Sequence, residues 1–486
     1  AAAAAAAPPN QPGETEPNSR DSVSDMTSSS PPSLARRSSA LLEQGAVDAA
    51  QFLQAVCERV NIFLRVRPMV HEDELKLGNT CLEVQENIAT LSLSDANISS
   101  SGANISLARA GVVAGDMKVK EKVVAYDEVF GQECSQQQVY ERVGEEILGA
   151  VFAGYNTAIL AYGHTGAGKT YTIYGEVDDE EQKGLIPRML EPVFAVGESG
   201  MYEKVLVRIS YIQDYKENFQ DLLAMDGCND KESIQVRVGK DGMTELRGMV
   251  EVEVFSMEEA MELVRLGNKQ RAVRAHKMNS ESSRSHTIFI VDIATQRKGT
   301  NTRQSAKLYM VDLAGSENVK DTGTKGDALV EAYHIMRSLT ALGRVVHQLT
   351  ENRKRAAHRR KPVAFRECNL TRLLKNVLTG DFVCSVILNV CPSPVNDQDR
   401  LTAKTMVFGE GIRRLKVNAQ KAPTTNMTHW LSSLWKAMSS KSSSKVQVLD
   451  VGDTPRAGFK KSFCAVHSRD NSEDMHVTAA AAGQMA

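Results

Sequence analysis

The segment AYGHTGAGKT, residues 161–170, holds residue types whose spacing suits phosphate binding. It fits the pattern G-x-x-x-x-G-K-[ST], in which glycines let the backbone turn tightly and direct N–H groups at phosphate oxygens. Lys169 supplies a positive charge, and the Thr170 hydroxyl can ligate Mg²⁺. The pattern predicts a nucleotide site, although a glycine turn can match it by accident. The expected contacts are Gly163, His164, Thr165, Gly166, Ala167, Gly168, Lys169 and Thr170.

A second segment, VDLAGSE at residues 311–317, follows an apolar run that predicts a strand. Asp312 stands where a carboxylate could hold Mg²⁺ through water. Gly315 offers a backbone N–H that can approach the terminal phosphate. Strand ends of the D-L-x-G type are common, so this segment alone is weak evidence for a phosphate sensor.

A third segment, NSESSRSH at residues 279–286, is dense in hydroxyl groups. Ser282 and Ser283 could hold water and Mg²⁺, and Arg284 could pair with Glu317 across the site. Serine-rich loops are common as well. The three segments together, in this order, indicate nucleotide hydrolysis far more strongly than any one of them.

The elements that must position these segments lie in one block, roughly residues 58–418. TAILAY, directly before the phosphate loop, predicts a strand buried on both faces. NIFLRVRP, HTIFIVDIAT, KLYMVDLAG and FVCSVILNV are further predicted strands. Residues 137–154 and the steps of three and four from Ala332 to Leu349 predict amphipathic helices. This alternation predicts an α/β sheet with helices on both faces.

The set of motifs resembles the motor domain of the kinesin family. RVRP (65–68), AYGHTGAGKT, NSESSRSH and VDLAGSE are similar to that family's four nucleotide-contacting motifs, in its order and near its spacing. YDEVFGQECSQQQVYE, FRECNLTRLL and TAKTMVFGEGIRRLK match further parts of the domain. The resemblance covers roughly residues 60–416.

The resemblance implies a P-loop NTPase-type fold, with a mostly parallel central sheet of eight strands and three helices on each face. It implies ATP and Mg²⁺ as ligands, with Arg65, Pro68 and Tyr171 framing the adenine. In the family, an Arg–Glu pair closes over the γ phosphate and helps to position the attacking water. The implied catalytic residues are Ser282, Arg284, Gly315 and Glu317, and the implied metal ligands are Thr170, Ser283 and, through water, Asp312.

The resemblance also implies a microtubule partner, whose acidic surface requires a basic binding face. The run ENRKRAAHRRKP, residues 351–362, follows the long amphipathic helix. Taken alone, such a run also fits a solvated face, a nuclear-import signal or an RNA-binding patch; with the motor motifs, no nucleic acid partner is expected. The expected microtubule contacts are Arg353, Lys354, Arg355, Arg359, Arg360, Lys361, Arg366 and Arg372.

Several residues depart from the family pattern. His164 replaces a glutamine, and a mild effect is expected because that side chain points away from the phosphates. Met336 replaces an asparagine of the switch helix that is thought to matter for coupling, and the loop before this helix is irregular. Ala364, Cys368 and Asn369 replace the usual proline, serine and lysine. The sequence therefore predicts intact phosphate chemistry and an altered coupling between the nucleotide site and the microtubule-binding surface.

The flanks of the block predict little structure. Residues 1–57 and 419–486 are rich in small and polar residues, which bury too little surface to fold, so both are expected to be mostly disordered. Residues 428–438 predict a short helix that either docks a partner or packs on the main domain. The 1–57 extension could form a short helix just before the main block, although residues 42–60 lack the heptads of a coiled coil. The segment VNAQKAPTTN matches a neck linker poorly. Cargo, direction and oligomeric state are not predicted.

Composition excludes several classes of protein. A net charge of −2 is too small to indicate any class of binding partner. Eight scattered cysteines without a C-x-x-C pair indicate reduced thiols and argue against zinc. No apolar run approaches the ~18 residues of a membrane span, and the N-terminus is a poor signal peptide. The expected location is the cytoplasm, on the microtubule cytoskeleton.

Two functions fit these observations. The first is a microtubule-based motor ATPase, because every expected nucleotide-site residue is present. The alternative is a non-motile microtubule-binding structural protein with slow or uncoupled ATP turnover, which Met336 and the irregular loop favour. An unrelated nucleotide switch is a third hypothesis.

Overall fold

The computed structural model describes residues 58–77, 80–93, 120–198, 200–224, 234–239, 242–277, 284–317, 327–394, 398–422 and 425–426. The extension at 1–57 and the helix predicted at 428–438 lie outside these ranges and stay predictions. Ser282, Ser283 and residues 318–326 of the irregular loop also lie outside them.

Fifteen strands lie within the described residues. They are β1 (Asn61–Val66), β2 (Leu82–Gln85), β3 (Ile88–Leu93), β4 (Lys120–Ala125), β5 (Glu128–Phe130), β6 (Thr157–Tyr162), β7 (Tyr202–Tyr215), β8 (Asn218–Asp221), β9 (Gln235–Val238), β10 (Thr244–Arg247), β11 (Val252–Val254), β12 (His286–Arg297), β13 (Thr302–Asp312), β14 (Val383–Val390) and β15 (Thr425–Asn426).

The described helices connect and flank these strands. They are α1 (Glu72–Leu77), α2 (Gln136–Val139), α3 (Glu145–Phe152), α4 (Lys169–Ile173), α5 (Leu185–Glu198), α6 (Met257–Lys277), α7 (Asp327–Arg353), α8 (Asn369–Leu373), α9 (Lys375–Thr379) and α10 (Gln398–Arg413). A π-helical turn, Tyr140–Gly144, joins α2 to α3, and Ala357–Arg359 and Phe365–Glu367 are short 3₁₀ helices.

The central sheet has a main path of eight strands in the order β11, β7, β12, β13, β6, β14, β1, β5; off this path, β8 pairs with β7 and β15 pairs with β13. The four pairings from β13 to β5 are parallel, and the three from β11 to β13 are antiparallel. The predicted mostly parallel path is confirmed, with an antiparallel group at one side. A turn of residues 298–301 joins β12 to β13, and so short a connection permits only antiparallel pairing.

Both faces of the sheet are apolar and covered by helices. Along β1, Ile62 and Leu64 face one buried cluster and Phe63 faces the other, as the alternation of a strand requires. The Phe63 face packs against α2–α3, α5 and α6, and the opposite face packs against α7, α8–α9 and α10. Each fully buried aliphatic side chain contributes ~1.5–3 kcal/mol to this core.

A small antiparallel sheet of β2, β3 and β4 packs beside α10. Leu82, Leu91 and Val124 join the same buried cluster as α10, and the Lys122 ammonium pairs with Glu410 at 2.7 Å. In the described part of the chain, every helix is too short or too polar to cross a membrane.

The segment after α10 docks along the edge of the core. The Asn418 N–H donates to the Gly380 carbonyl and the Ala422 N–H donates to the Gly154 carbonyl, both at 2.8 Å. Gly380 has a φ of +96°, and a Cβ at this position would lie 2.4 Å from the Lys416 carbonyl oxygen, so glycine is required. Although the sequence of this segment matches a neck linker poorly, its backbone is held against the core.

Candidate functional site

The phosphate loop connects two elements whose sequence dictates their form. The strand β6 is buried along its whole length, and the helix α4 begins at Lys169 directly after Gly168. Gly168 has a φ of +95°, which favours glycine. At Gly163, a Cβ would lie 2.1 Å from the Asn389 carbonyl oxygen of β14. The glycines of the motif are therefore needed both for the turn and for its close approach to the neighbouring strand.

The side chain of Lys169 lies inside the loop. It is 6% exposed, and its Nζ donates to the His164 carbonyl oxygen at 2.8 Å. Burial lowers the pKa of this ammonium. Among the described residues, this ammonium donates to a neutral carbonyl of the same loop. An incoming phosphate would therefore give it a much stronger partner.

His164 is buried beside this contact. It is 2% exposed, and its Nδ1 lies 2.7 Å from the Thr165 carbonyl oxygen. Burial lowers the pKa of the ring to about 4, so the imidazole is neutral near pH 7. It therefore adds no positive charge to the loop, and the mild effect expected of this replacement stays a prediction.

Thr170 and Asp312 meet at the carboxyl ends of β6 and β13. The Thr170 hydroxyl donates to Asp312 Oδ2 at 2.7 Å, and Arg271 of α6 pairs with the same oxygen at 3.2 Å. Asp312 Oδ1 is buried without a hydrogen-bond partner. A hydroxyl and a carboxylate with an uncommitted oxygen are the donors that Mg²⁺ prefers, so these residues fit the ion. Arg271 was missed in the sequence because it belongs to no motif.

Glu317 closes the other side of the loop. Its Oε2 accepts from the Thr165 N–H at 2.9 Å, and its Oε1 accepts from the Thr165 hydroxyl. Gly315 leaves room for this arrangement, since a Cβ there would lie 2.3 Å from both Glu317 Oε1 and Thr165 Oγ1. Arg284 lies two residues before β12, and its pairing with Glu317 stays a prediction.

The residues expected to frame the adenine lie partly together. The Arg65 guanidinium lies over the Tyr171 ring, 5.3 Å from its centroid, and Tyr171 is 40% exposed. Arg65 itself is buried and donates to Gln136 and Thr172, so it ties β1 to α2 and α4. Pro68 is exposed at the same end of β1. Of these three residues, Tyr171 is the one with an exposed aromatic ring that could stack on a base.

The predicted basic surface lies at the end of α7. Between residues 351 and 372 the chain carries eight arginines and lysines and two glutamates. The exposed members of the predicted set are Arg353, Lys354, Arg359, Arg360, Lys361 and Arg366. Arg355 and Arg372 are half-buried, and Arg372 donates to the Val236 carbonyl.

A side-chain clamp holds the backbone of this surface. Asn352 Nδ2 donates to the Lys361 carbonyl at 2.6 Å, and Asn352 Oδ1 accepts from the Lys361 N–H at 2.8 Å. The Ala364 N–H donates to Gln348 Oε1, also on α7. The basic loop is therefore fastened to α7 while its charged ends face solvent.

Comparison with known proteins gives the family. A sequence profile of the kinesin motor domain matches residues 65–415. The chain belongs to the kinesin family. It is 38% identical over 305 residues to a kinesin heavy chain of Gibberella moniliformis, across 61% of this chain and 31% of that protein. It is 34% identical over 302 residues to the kinesin-1 heavy chain of Homo sapiens, across 61% and 30%.

A solved structure of a fast kinesin, described with its implications for ATPase mechanism and microtubule interactions, matches with a TM-score of 0.63 at 32% identity. The match covers 76% of this chain and 95% of that one. Residues 65–415 thus correspond to the kinesin motor domain, while the chain spans about a third of the heavy chains that it matches.

Apart from His164 in the phosphate loop, the departures from the kinesin pattern lie on α7 and in the segment up to the start of α8. Met336 is half-buried on this helix, and its thioether cannot donate the hydrogen bonds of an amide. Cys368 caps α8 by accepting from the Thr371 N–H, at 3.4 Å, in the place of a serine hydroxyl. The Asn369 side chain donates to the Glu217 carbonyl, in the turn between β7 and β8. Cys368 thus keeps the N-terminal cap of α8, and Asn369 attaches this helix to the β7–β8 turn.

Proposed function

We propose that this kinesin-family chain hydrolyses ATP and uses the hydrolysis to move along microtubules. The observation that carries the proposal is the meeting of Lys169, Thr170, Asp312 and Glu317 at one edge of the sheet. Parallel strands direct their carboxyl ends to the same edge, which is where ligands bind in open α/β sheets.

The phosphate loop would bind the β and γ phosphates through its backbone N–H groups and the Lys169 ammonium. Thr170 and Asp312 would hold Mg²⁺, together with Ser283; when bound, the ion neutralises charge on the phosphates. Tyr171 would cover the adenine, with Arg65 and Pro68 beside it.

Hydrolysis needs a water aligned with the γ phosphate. Gly315 would offer its N–H to that phosphate. We assign Ser282, Arg284 and Glu317 to the alignment of the water, with Arg284 pairing Glu317 in the closed state. The Glu317 carboxylate now holds Thr165, so closure would require it to exchange this partner. Positioning and charge stabilisation supply most of the rate in phosphoryl transfer.

The partner that we propose is the microtubule, bound through the exposed basic surface at the end of α7. Six exposed arginines and lysines, held near a backbone that Asn352 fixes, give this surface a positive charge that is complementary to the acidic surface of a microtubule. The proposed location is accordingly the cytoplasmic microtubule cytoskeleton. The docked segment after α10 is the proposed mechanical output, because it leaves the core next to β13.

The test is steady-state ATP hydrolysis by the full chain, with and without taxol-stabilised microtubules, followed by a gliding assay. We expect microtubules to raise turnover and ATP to drive filament movement. Lys169→Ala should abolish both. If the chain binds microtubules but turnover does not rise and filaments stay still, the motor function is wrong and the chain is a microtubule-binding structural protein.

A further inference from the structure

His286 lies between the segment at residues 311–317, which would sense the γ phosphate, and α7, the helix that ends at the basic surface. It is the first residue of β12 and is 3% exposed. Its Nδ1 accepts the Ala314 N–H at 3.0 Å. Ala314 lies between Asp312 and Gly315, so this bond holds the backbone of the segment that would sense the γ phosphate.

The other ring nitrogen of His286 contacts α7. Its Nε2 lies 2.7 Å from Ser338 Oγ. A backbone N–H can only donate, so Nδ1 carries no proton, and the neutral ring must carry its proton on Nε2. Nε2 therefore donates to Ser338, and the ring forms one directed bond to each side.

The backbone of the sensing segment, residues 311–317, also forms hydrogen bonds on the nucleotide side. The Leu313 N–H donates to the Ala161 carbonyl at 3.3 Å, and the Ser316 N–H donates to the Gly163 carbonyl at 3.1 Å. The segment is thus bonded to β6 and the phosphate loop on one side, and through His286 to Ser338 on the other.

We propose that His286 is a positioning residue that transmits shifts of the Ala314 segment to α7 through Ser338; this inference rests on the proposed function. If Ala314 moves and the ring does not follow, a buried polar atom loses its partner, which is unfavourable. The ring and the helix therefore move with the segment. Ser338 lies fifteen residues before Arg353, about 22 Å along a continuous helix, so its shift reaches the basic surface.

This route does not need an amide at position 336. Met336 stands where the kinesin pattern has an asparagine that is thought to couple the two sites. Ser338 lies two residues further along the same helix, and its hydroxyl is hydrogen-bonded to the His286 ring of β12. Both residues are buried. The transmission that the sequence put in doubt has a physical path in this chain.

The test compares Ser338→Ala with Ser338→Thr and with Thr340→Ala, which removes an exposed hydroxyl from the same helix. The first readout is hydrogen exchange of the α7 amides, in the full chain with ADP and with a non-hydrolysable ATP analogue. We expect a nucleotide-dependent difference in the wild type, Ser338→Thr and Thr340→Ala, and its loss in Ser338→Ala. The second readout is the ratio of microtubule-stimulated to basal turnover, which Ser338→Ala should lower about fivefold or more with basal turnover unchanged.

If Ser338→Ala does not fold, His286→Asn replaces it, since the shorter amide can accept from Ala314 but cannot reach Ser338. An exchange difference that persists in the variant, or that is missing in the wild type, overturns the role of His286. The proposed function fails separately, when microtubules do not stimulate the wild type, and the exchange readout still decides the role of His286 in that case.

Discussion

The phosphate loop and the basic surface hold their charges in opposite ways. Lys169 is 6% exposed and fixed by a hydrogen bond inside a backbone that requires glycine. Arg359, Arg360 and Lys361 extend into solvent, and only the backbone beneath them is clamped. A buried charge has no substitute when it is removed, whereas exposed charges act as a group and are screened by salt. The loop should therefore respond to single substitutions and the surface to the sum of its charges.

The largest effect is expected at Lys169. Lys169→Ala removes the buried ammonium without removing the glycine turn, and ATP turnover should fall by at least ~10²–10³-fold, as for loss of other transition-state donors. Steady-state hydrolysis measures the change, with Lys298→Ala in the exposed β12–β13 turn as the matched control. Equal ATP turnover in the two variants would contradict the prediction that the phosphate loop depends on its single buried charge.

The second effect is expected at Gly315. In Gly315→Ala the new methyl group would lie 2.3 Å from Glu317 Oε1 and Thr165 Oγ1, so Glu317 must move. We expect turnover to fall ~100-fold because the γ-phosphate sensor is displaced. ADP affinity, measured with a fluorescent nucleotide, should change little. Gly343→Ala is the control, because a Cβ at that helical position meets nothing within 4 Å. A similar loss of turnover in this control would contradict the role of Gly315 as a γ-phosphate sensor.

A smaller effect is expected at the basic surface. Combined replacement of Arg359, Arg360 and Lys361 by alanine should weaken microtubule binding about tenfold, at ~0.2–1 kcal/mol for each exposed charge. Co-sedimentation over a range of salt concentrations measures both the affinity and its salt dependence, which should become shallower. Basal turnover should stay the same.

The control for this variant removes three charges elsewhere, at Lys76, Lys204 and Lys298, all exposed. If the control weakens binding as much as the surface variant does, then net charge rather than this surface determines the affinity.

The smallest effect is expected at the clamp. Asn352→Ala keeps every basic side chain but loses the two hydrogen bonds to the Lys361 backbone. Binding to microtubules should weaken by about two- to fivefold, since net hydrogen-bond contributions are ~0.5–1.5 kcal/mol. Asn301→Ala, in an exposed turn, is the control. A loss as large as that of the triple variant would mean that loop shape, and not charge, dominates this surface.

The sequence predicted the parts of the site that local patterns specify. The strand before Gly163, the turn and the start of α4 follow from a glycine pattern and an apolar run, and the structure has them in that order. The helices on both faces follow from periodicity in the same way. Such features need only a few neighbouring residues to be recognised.

The contacts that sequence reasoning missed depend on how distant segments pair. Arg271 reaches Asp312 from α6, and Asn389 of β14 donates to Thr172 of α4, the helix that follows the phosphate loop, at 2.7 Å. His286 was part of a recognised motif, but its two partners come from other segments. Neither residue type nor spacing indicates such partners before the strand register is known.

The strand β13 joins two distant parts of the domain. At its start, Thr302 and Arg303 pair with Asn426 and Thr425 of the docked segment, and at its end Asp312 accepts from Thr170. Its 11 residues make a strut about 35 Å long. Tension applied through the docked segment would therefore load the strand that carries Asp312. A pull across the strand would separate the pairs one at a time, while a pull along it would shear them together, so the resistance of the segment to force should depend on the direction of the load.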